Sequence, residues 1–290
     1  MTGMRPLLPQ TIAAVVSDVD GTLVRSDKSL APRTIQAVGK LRAAGVSFAI
    51  VSSRPPRGLT AVIQRLGIAV PVAGFNGGVI ASPDLSVIAS HLIAPDVAQR
   101  AVELIEASGA SAWVFSGDEW FIRDRNGPRV ALEQKTVGFA PSEVGDFTSI
   151  IGTAAKIVAV SDEPALLTKL QHQVCQSLGH SANVVRSQTY YLDVTHPLAN
   201  KGDALLDLVR LMAVSPTNTA VIGDGENDID MFARAGLSIA MGNAAEEVKE
   251  AANFVTTRND DDGVAAAIDW VVLRGERAAM GGAGKPQEVA

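Results

Sequence analysis

Ile12–Ala13–Ala14–Val15–Val16–Ser17–Asp18–Val19–Asp20–Gly21–Thr22–Leu23 joins a short apolar run to two carboxylates spaced one residue apart. A β-branched run bounded by turn residues reads as a fully buried strand of a parallel sheet. Residues i and i+2 of an extended chain point to the same side, so Asp18 and Asp20 converge where that strand ends. In open α/β sheets the carboxyl ends of the strands are where ligands bind. Two like charges this close are tolerated best with a cation between them, or with different protonation states. An EF-hand loop would need an acidic or amide residue fifth and Gly sixth, where this chain has Thr22 and Leu23. On these residues alone, a turn built from Asp and Gly stays open as the alternative.

The rest of the composition agrees with a helix-covered parallel sheet. The 290 residues are 47% hydrophobic but only 4% aromatic, with Ala and Val plentiful. That length favours about two domains. A net charge of −6 argues against a general nucleic-acid or anionic-membrane binder. Apolar stretches break within about ten residues, too short to span a bilayer. Residues 1–10 carry Arg5 but no apolar secretory run. One cysteine, Cys175, excludes an intrachain disulfide framework and a cysteine-rich zinc site. These features predict a soluble, cytoplasmic protein with no nucleic-acid and no membrane partner, and are consistent with either a monomer or a homodimer.

Strand-like runs recur at Ile12–Val16, Val46–Val51, Val70–Ala73, Thr219–Ile222 and Ser238–Ala240. Helical patterns fall at 32–44, 57–66, 201–213, 227–235, 245–251 and 262–273. Pro32 suits a first helical turn and Gly45 a stop. This alternation predicts an α/β fold, a doubly wound, mainly parallel Rossmann-like sheet. The middle of the chain breaks the rhythm. A hairpin is expected around the Pro83–Asp84 turn, a helix at 95–108, and short strands at Ala112–Phe115 and Trp120–Ile122. An irregular stretch (123–153), a strand at Lys156–Val160, a helix over 164–178 and strands near 183–186 and 190–194 follow. This predicts an inserted α+β module. The expected division is a discontinuous core of 11–82 and 190–275, an insert of 83–189, and disordered tails at 1–10 and 276–290. The tail from Gly275 lacks apolar periodicity. Trp113, Phe115, Trp120 and Phe121 are expected to pack the insert, and Cys175 to be buried on its helix.

A second acidic cluster follows the Thr219–Ile222 run: Gly223–Asp224–Gly225–Glu226–Asn227–Asp228. It fails as an EF-hand, since Ile229 holds the Gly position and Ala235 the final Glu position. It fails as a dinucleotide fingerprint, since Asp228 stands at the third Gly. A solvated turn with Asp228 capping a helix is the alternative. Acidic and amide oxygens point to a hard cation, Mg²⁺. His91, His172, His180 and His196 show no metal-ligand spacing. Ser52 follows the second strand pattern, where its hydroxyl and nearby N–H groups suit a phosphate oxygen. Lys201 opens a helix, another anion-binding context.

Taken in order, Asp18–Val19–Asp20–Gly21–Thr22–Leu23, the strand ending in Ser52, then Lys201, then Gly223–Asp224–Gly225–Glu226–Asn227–Asp228 resemble the haloacid dehalogenase (HAD) superfamily of phosphotransferases. The insert resembles the type-B cap (C2B) of its Cof-like, class IIB sugar-phosphatase branch, and Gly74–Phe75–Asn76–Gly77–Gly78 is similar to the Asn-Gly turn of that branch. The resemblance implies a Mg²⁺-dependent phosphomonoesterase acting on a small phosphorylated metabolite, with the insert as lid and selector. It makes Asp18 the nucleophile that forms an aspartyl-phosphate and Asp20 the acid and base. It makes Asp18, the main-chain carbonyl of Asp20, and Asp224 the Mg²⁺ ligands, helped by Asp228. Ser52 and Lys201 would bind the phosphoryl group and stabilise transfer, with Lys201 also orienting Asp18. Arg54, Asn76, Gly77 and Asn227 complete the expected substrate contacts. The branch commonly has Thr-Gly-Arg where this chain has Ser52–Ser53–Arg54: serine keeps the hydroxyl, whereas Ser53 is unfavourable if that position needs φ > 0. A phosphomutase and a non-catalytic metabolite-binding protein are the competing readings. A dehalogenase fits less well, because halide needs neither the acid Asp20 nor a Mg²⁺ site.

Overall fold

A computed structural model describes residues 11–279. In chain order it runs β1 (Ala14–Ser17), α1 (Pro32–Ala43), β2 (Ser47–Ile50), α2 (Thr60–Leu66), β3 (Val72–Gly74), β4 (Val79–Ala81) and β5 (Val87–Ser90). Then come α3 (Pro95–Ala107), β6 (Ser111–Ser116), β7 (Glu119–Ile122), α4 (Val130–Val137), β8 (Ser142–Glu143), β9 (Ala154–Val160), α5 (Pro164–Leu178), β10 (Asn183–Gln188) and β11 (Tyr191–Thr195). The chain closes with α6 (Lys201–Leu211), β12 (Thr219–Gly223), α7 (Ile229–Phe232), β13 (Leu237–Ala240), α8 (Glu246–Ala251), β14 (Phe254–Val255) and α9 (Gly263–Ala279). It divides into two compact units, one made of the residues up to Ala49 with those from Val209, the other of Ile50–Leu208.

The first unit is built on a five-stranded sheet of order β14-β13-β12-β1-β2, in which β1–β12, β12–β13 and β13–β14 pair in parallel. β1, β12 and β13 are buried along their whole length, which is why their sequences are unbroken apolar runs rather than alternating ones. Ser17 stands opposite Ile222, so the segments after β1 and β12 leave the sheet side by side. Helix α1 opens with Pro32 at its first turn and buries Thr34, Ala37, Val38 and Leu41, a stripe at helical spacing that faces α9. Helix α9 continues to Ala279, past the Gly275 at which the sequence pattern suggested an end. One Gly costs about 1 kcal/mol in a helix interior, and the strong helix formers on both sides outweigh it. Of the expected tails at 1–10 and 276–290, residues 276–279 belong to α9, and 1–10 and 280–290 lie outside the described residues. Helix α7 is shorter than expected: residues Glu226–Asp228 form a 3₁₀ turn ahead of it.

The second unit contains a six-stranded sheet of order β10-β11-β9-β6-β7-β8 and a three-stranded antiparallel sheet, β3-β4-β5. On one face of the larger sheet, Ile157 and Ala159 of β9 and Leu192 and Val194 of β11 pack against Ala101 and Ile105 of α3 and Leu170 and Val174 of α5. The other face is aromatic: Trp113, Phe115, Trp120 and Tyr191 meet Phe75 and the apolar positions of α4. Each such side chain contributes roughly 1.5–3 kcal/mol by leaving water. Trp113, Phe115 and Trp120 do pack the insert, while Phe121 turns to the opposite face. Strand β11 pairs with β9 and β10, so it belongs to the six-stranded sheet although it lies beyond residue 189. Three expectations need correction. The 123–153 stretch holds α4, whose start hides from sequence because Arg129 enters it in the left-handed conformation and offers no side-chain cap. Cys175 is exposed, because the buried stripe of α5 runs through Leu167, Leu170, Val174 and Leu178. And Val72–Gly74 is not a full strand of the parallel sheet: a single parallel bridge joins Ala73 to Val51, and its ladder is antiparallel to β4. No described helix is long and apolar enough to cross a membrane.

Candidate active site

Parallel strands end their polar business at their carboxyl ends, and here β1 and β12 each release an acidic segment there. Asp18 keeps the sheet geometry for one more residue, its N–H donating to Ile222 O at 2.9 Å. Carboxylate oxygens of Asp18, Asp224 and Asp228 all lie within 4.8 Å of one another. Asp18 is 5% exposed and Asp228 fully buried. Three carboxylates in a space this dry repel one another strongly unless a cation or a proton is shared among them.

Each member of the cluster is oriented by a neighbour. Thr22 Oγ1 donates to Asp224 Oδ1 at 2.7 Å, and Asn243 Nδ2 donates to Gly21 O at 2.9 Å and to Asp224 Oδ2 at 3.4 Å. Asp228 Oδ2 accepts both the Asp224 and the Gly225 N–H at 2.8 Å, which closes the 3₁₀ turn and fixes the carboxylate at the cluster. Gly21 has φ +85°, and a Cβ there would run into the Asp224 carboxylate. Only glycine allows the turn after β1 to sit against the segment after β12. Asn227 folds its side chain over Gly225. Asp20 sits apart from this trio with its own partner: Lys28 Nζ stands 2.8 Å from Asp20 Oδ1, on a turn where Lys28 takes φ +69°.

The donor set fits Mg²⁺. Oxygens on opposite sides of one Mg²⁺ stand about 4.2 Å apart, and the donors here are all hard oxygens with no nitrogen or sulfur among them.

The second unit gathers the other expected residues. Ser52 N donates to Ala73 O at 2.9 Å, Asn76 N to Ser52 O at 2.7 Å, and Phe75 N to Arg54 O at 2.9 Å. These bonds stitch the Ser52–Ser53–Arg54 loop to the Asn76–Gly77 turn. Ser52 Oγ accepts the Arg54 N–H at 3.1 Å, and Arg54 Nη1 reaches Gly58 O at 3.4 Å. Ser53 is not among the residues with positive φ, so serine there carries no left-handed strain. Asn76 does have φ +57°, a conformation that asparagine tolerates, and Gly77 has φ +103°. A Cβ on Gly77 would come 2.6 Å from Ala204 Cβ, so the turn lies directly on the first turn of α6. That helix is capped by Asn200, whose Oδ1 accepts the Asp203 N–H at 2.9 Å, and begins with Lys201, 2% exposed. Ser52, Arg54 and Asn76 are buried as well.

Thr22, Lys28 and Asn243 were not singled out from sequence. Asn243 did carry a signal: it follows a buried strand, β13, at the same sheet edge as the two acidic segments. Lys28 carried none, since its tie to Asp20 depends on a turn that no motif announces.

A family model described as haloacid dehalogenase-like hydrolase matches residues 15–268. The chain is similar to a haloacid dehalogenase-like hydrolase from Bacteroides thetaiotaomicron, known from its crystal structure, with a TM-score of 0.81 and 29% identity over 90% of this chain and 100% of that one. It is 27% identical over 263 residues to 5-amino-6-(5-phospho-D-ribitylamino)uracil phosphatase of Bacillus subtilis, covering 87% of this chain and 94% of the relative. It shares the fold of a sugar phosphatase of HAD subclass IIB, with a TM-score of 0.80 and 22% identity over 90% of this chain and 99% of that one. With a match running through β1, β12 and the acidic segments after them, the chain belongs to the haloacid dehalogenase-like hydrolases and is an enzyme of that family.

Proposed function

We propose that this hydrolase is a Mg²⁺-dependent phosphomonoesterase that acts on a small phosphorylated metabolite, a sugar phosphate or similar, through an aspartyl-phosphate at Asp18. The observation that carries the reading is the three-carboxylate cluster of Asp18, Asp224 and Asp228 at the carboxyl ends of adjacent parallel strands. Similarity to a phosphatase of a ribityl phosphate supports the substrate class.

Asp18 and Asp224 would hold Mg²⁺ with the main-chain carbonyl of Asp20, and Asp228 assists, fixed by two backbone N–H groups. The bound ion offsets repulsion between an anionic nucleophile and an anionic substrate. A carboxylate oxygen of Asp18 attacks phosphorus as the bond from phosphorus to the ester oxygen breaks. Asp20 gives its proton to that leaving oxygen. It then takes a proton from the water that attacks phosphorus and releases Asp18. Lys28, which pairs with Asp20, keeps that carboxylate at a fixed position between the two steps. Ser52 donates a hydrogen bond to a phosphoryl oxygen, and Lys201 neutralises charge that develops in transfer. Arg54, Asn76, Gly77 and Asn227 shape the surroundings of the substrate.

Hydrolysis of para-nitrophenyl phosphate tests the reading. Turnover is expected with Mg²⁺, to be lost on chelation, and to fall at least about a thousandfold in Asp18→Asn. Undiminished hydrolysis in Asp18→Asn would remove Asp18 as nucleophile. Ranking phosphorylated sugars, polyol phosphates and nucleotides by kcat/KM then identifies the substrate.

A further inference from the structure

Lys156 and Asp193 form a buried ion pair that the reaction described above does not use. Their side chains project from the aromatic face of the six-stranded sheet, from β9 and β11, with Nζ 2.7 Å from Asp193 Oδ2. Lys156 is 5% exposed and Asp193 fully buried. A pair this dry contributes little net stability, because desolvating two charges offsets most of their attraction. Apolar residues of similar size would hold the sheet as well. What apolar residues would not supply is a hydrogen bond to the loop: Lys156 Nζ donates to Ser53 O at 3.2 Å, across 103 residues of sequence. Its remaining side faces the ring of Phe115, 5.6 Å from the centroid.

The bond falls at a telling place in the Ser52–Ser53–Arg54 loop. Ser52 N, Ser52 O and Arg54 O are each bonded to backbone of the 73–76 segment. Ser53 O is bonded instead by a charged side chain from another sheet. A charge-assisted bond is stronger than a neutral one and more exacting in geometry. Asp193 Oδ2, 2.7 Å from the ammonium, holds it at this position.

We propose that Lys156, held by Asp193, is a positioning residue that fixes the Ser52–Ser53–Arg54 loop for phosphoryl binding. The inference rests on the role given to Ser52 under Proposed function. It links the insert's sheet to the phosphate-binding loop, so the residues of that sheet influence phosphoryl binding without touching substrate.

The test replaces the pair by apolar side chains, Lys156→Met with Asp193→Leu, and measures inhibition by inorganic phosphate together with KM and kcat for para-nitrophenyl phosphate. The unfolding midpoint should stay near that of the parent. The phosphate inhibition constant and KM should each rise about tenfold, the size of one hydrogen bond from a charged donor. In a Ser52→Ala background the same replacement should add less than about twofold, because both changes disable one loop. Lys156→Gln with Asp193→Asn, which removes both charges and keeps the shape, should raise the inhibition constant about threefold and serves if the apolar replacement does not fold. A folded double replacement with the parent's phosphate inhibition overturns the proposal, and so do effects that multiply with Ser52→Ala. If Ser52→Ala alone leaves phosphate inhibition unchanged, the role of Ser52 falls and this inference with it. If Ser52→Ala weakens phosphate and the Lys156 variants do not, the inference falls alone.

Discussion

Asp224 is held from two sides, by the Thr22 hydroxyl and the Asn243 amide, and neither partner is an acid. Partners of this kind set the direction of a ligand's lone pairs and tune its affinity for metal. Thr22→Val keeps the shape of the side chain and removes the donor. It is expected to weaken Mg²⁺ about ten- to a hundredfold, while stability changes by less than about 1.5 kcal/mol. A Mg²⁺ titration of activity beside a urea melt checks both. A loss of fold without a change in Mg²⁺ requirement would make Thr22 merely structural. The meeting of Asp18 with Asp224 was legible in sequence, since each follows an unbroken apolar run of the sort that only a buried parallel strand tolerates. Asn243 and Lys28 were not, because their partners are set by how loops return over the sheet edge rather than by spacing along the chain. Lys156 was hidden for the same reason, as the one charged residue of an otherwise apolar strand.

At the scale of elements, legibility followed packing. Helices with a clear apolar stripe, such as α1 and α3, and buried strands such as β12 fall within a residue or two of their expected places. Helix α4 was missed because its start depends on a left-handed Arg129, and the 3₁₀ turn before α7 because it depends on the Asp228 carboxylate bonding backwards. The two segments that flank the six-stranded sheet also hold a feature that no motif flagged. After β5 comes His91 and after β11 His196, and their rings stack with centroids 5.3 Å apart, with Asp207 Oδ2 4.0 Å from His91. Burial, and then the charge of His91, lower the pKa of His196 below its ordinary value. With the folded value depressed, the unfolded chain binds a proton near pH 6.5 that the folded chain resists. This contribution is absent at high pH, and it destabilises the fold as pH drops through the ordinary histidine range. His196→Gln should therefore lose less stability than the parent between pH 7.5 and 5.5. Urea midpoints at the two pH values measure it, and equal losses would contradict the assignment.

The whole molecule is two compact units with different kinds of sheet. The unit with the parallel sheet carries the three-carboxylate cluster, on strand ends where such a topology concentrates ligand sites. The unit of mixed sheets carries Ser52 and the Asn76–Gly77 turn on segments stitched to one another by backbone bonds, and Lys201 at the start of α6. The central claim is that phosphoryl transfer passes through Asp18. Its most direct test is a rapid acid quench of the Mg²⁺-loaded enzyme during turnover, followed by borohydride reduction and peptide mass spectrometry. Reduction of an acyl phosphate turns the aspartate into homoserine, and this conversion is expected at residue 18, and to vanish in Asp18→Asn. Turnover with residue 18 unmodified at every quench time, or the conversion found at Asp20 or Asp224 instead, would contradict it.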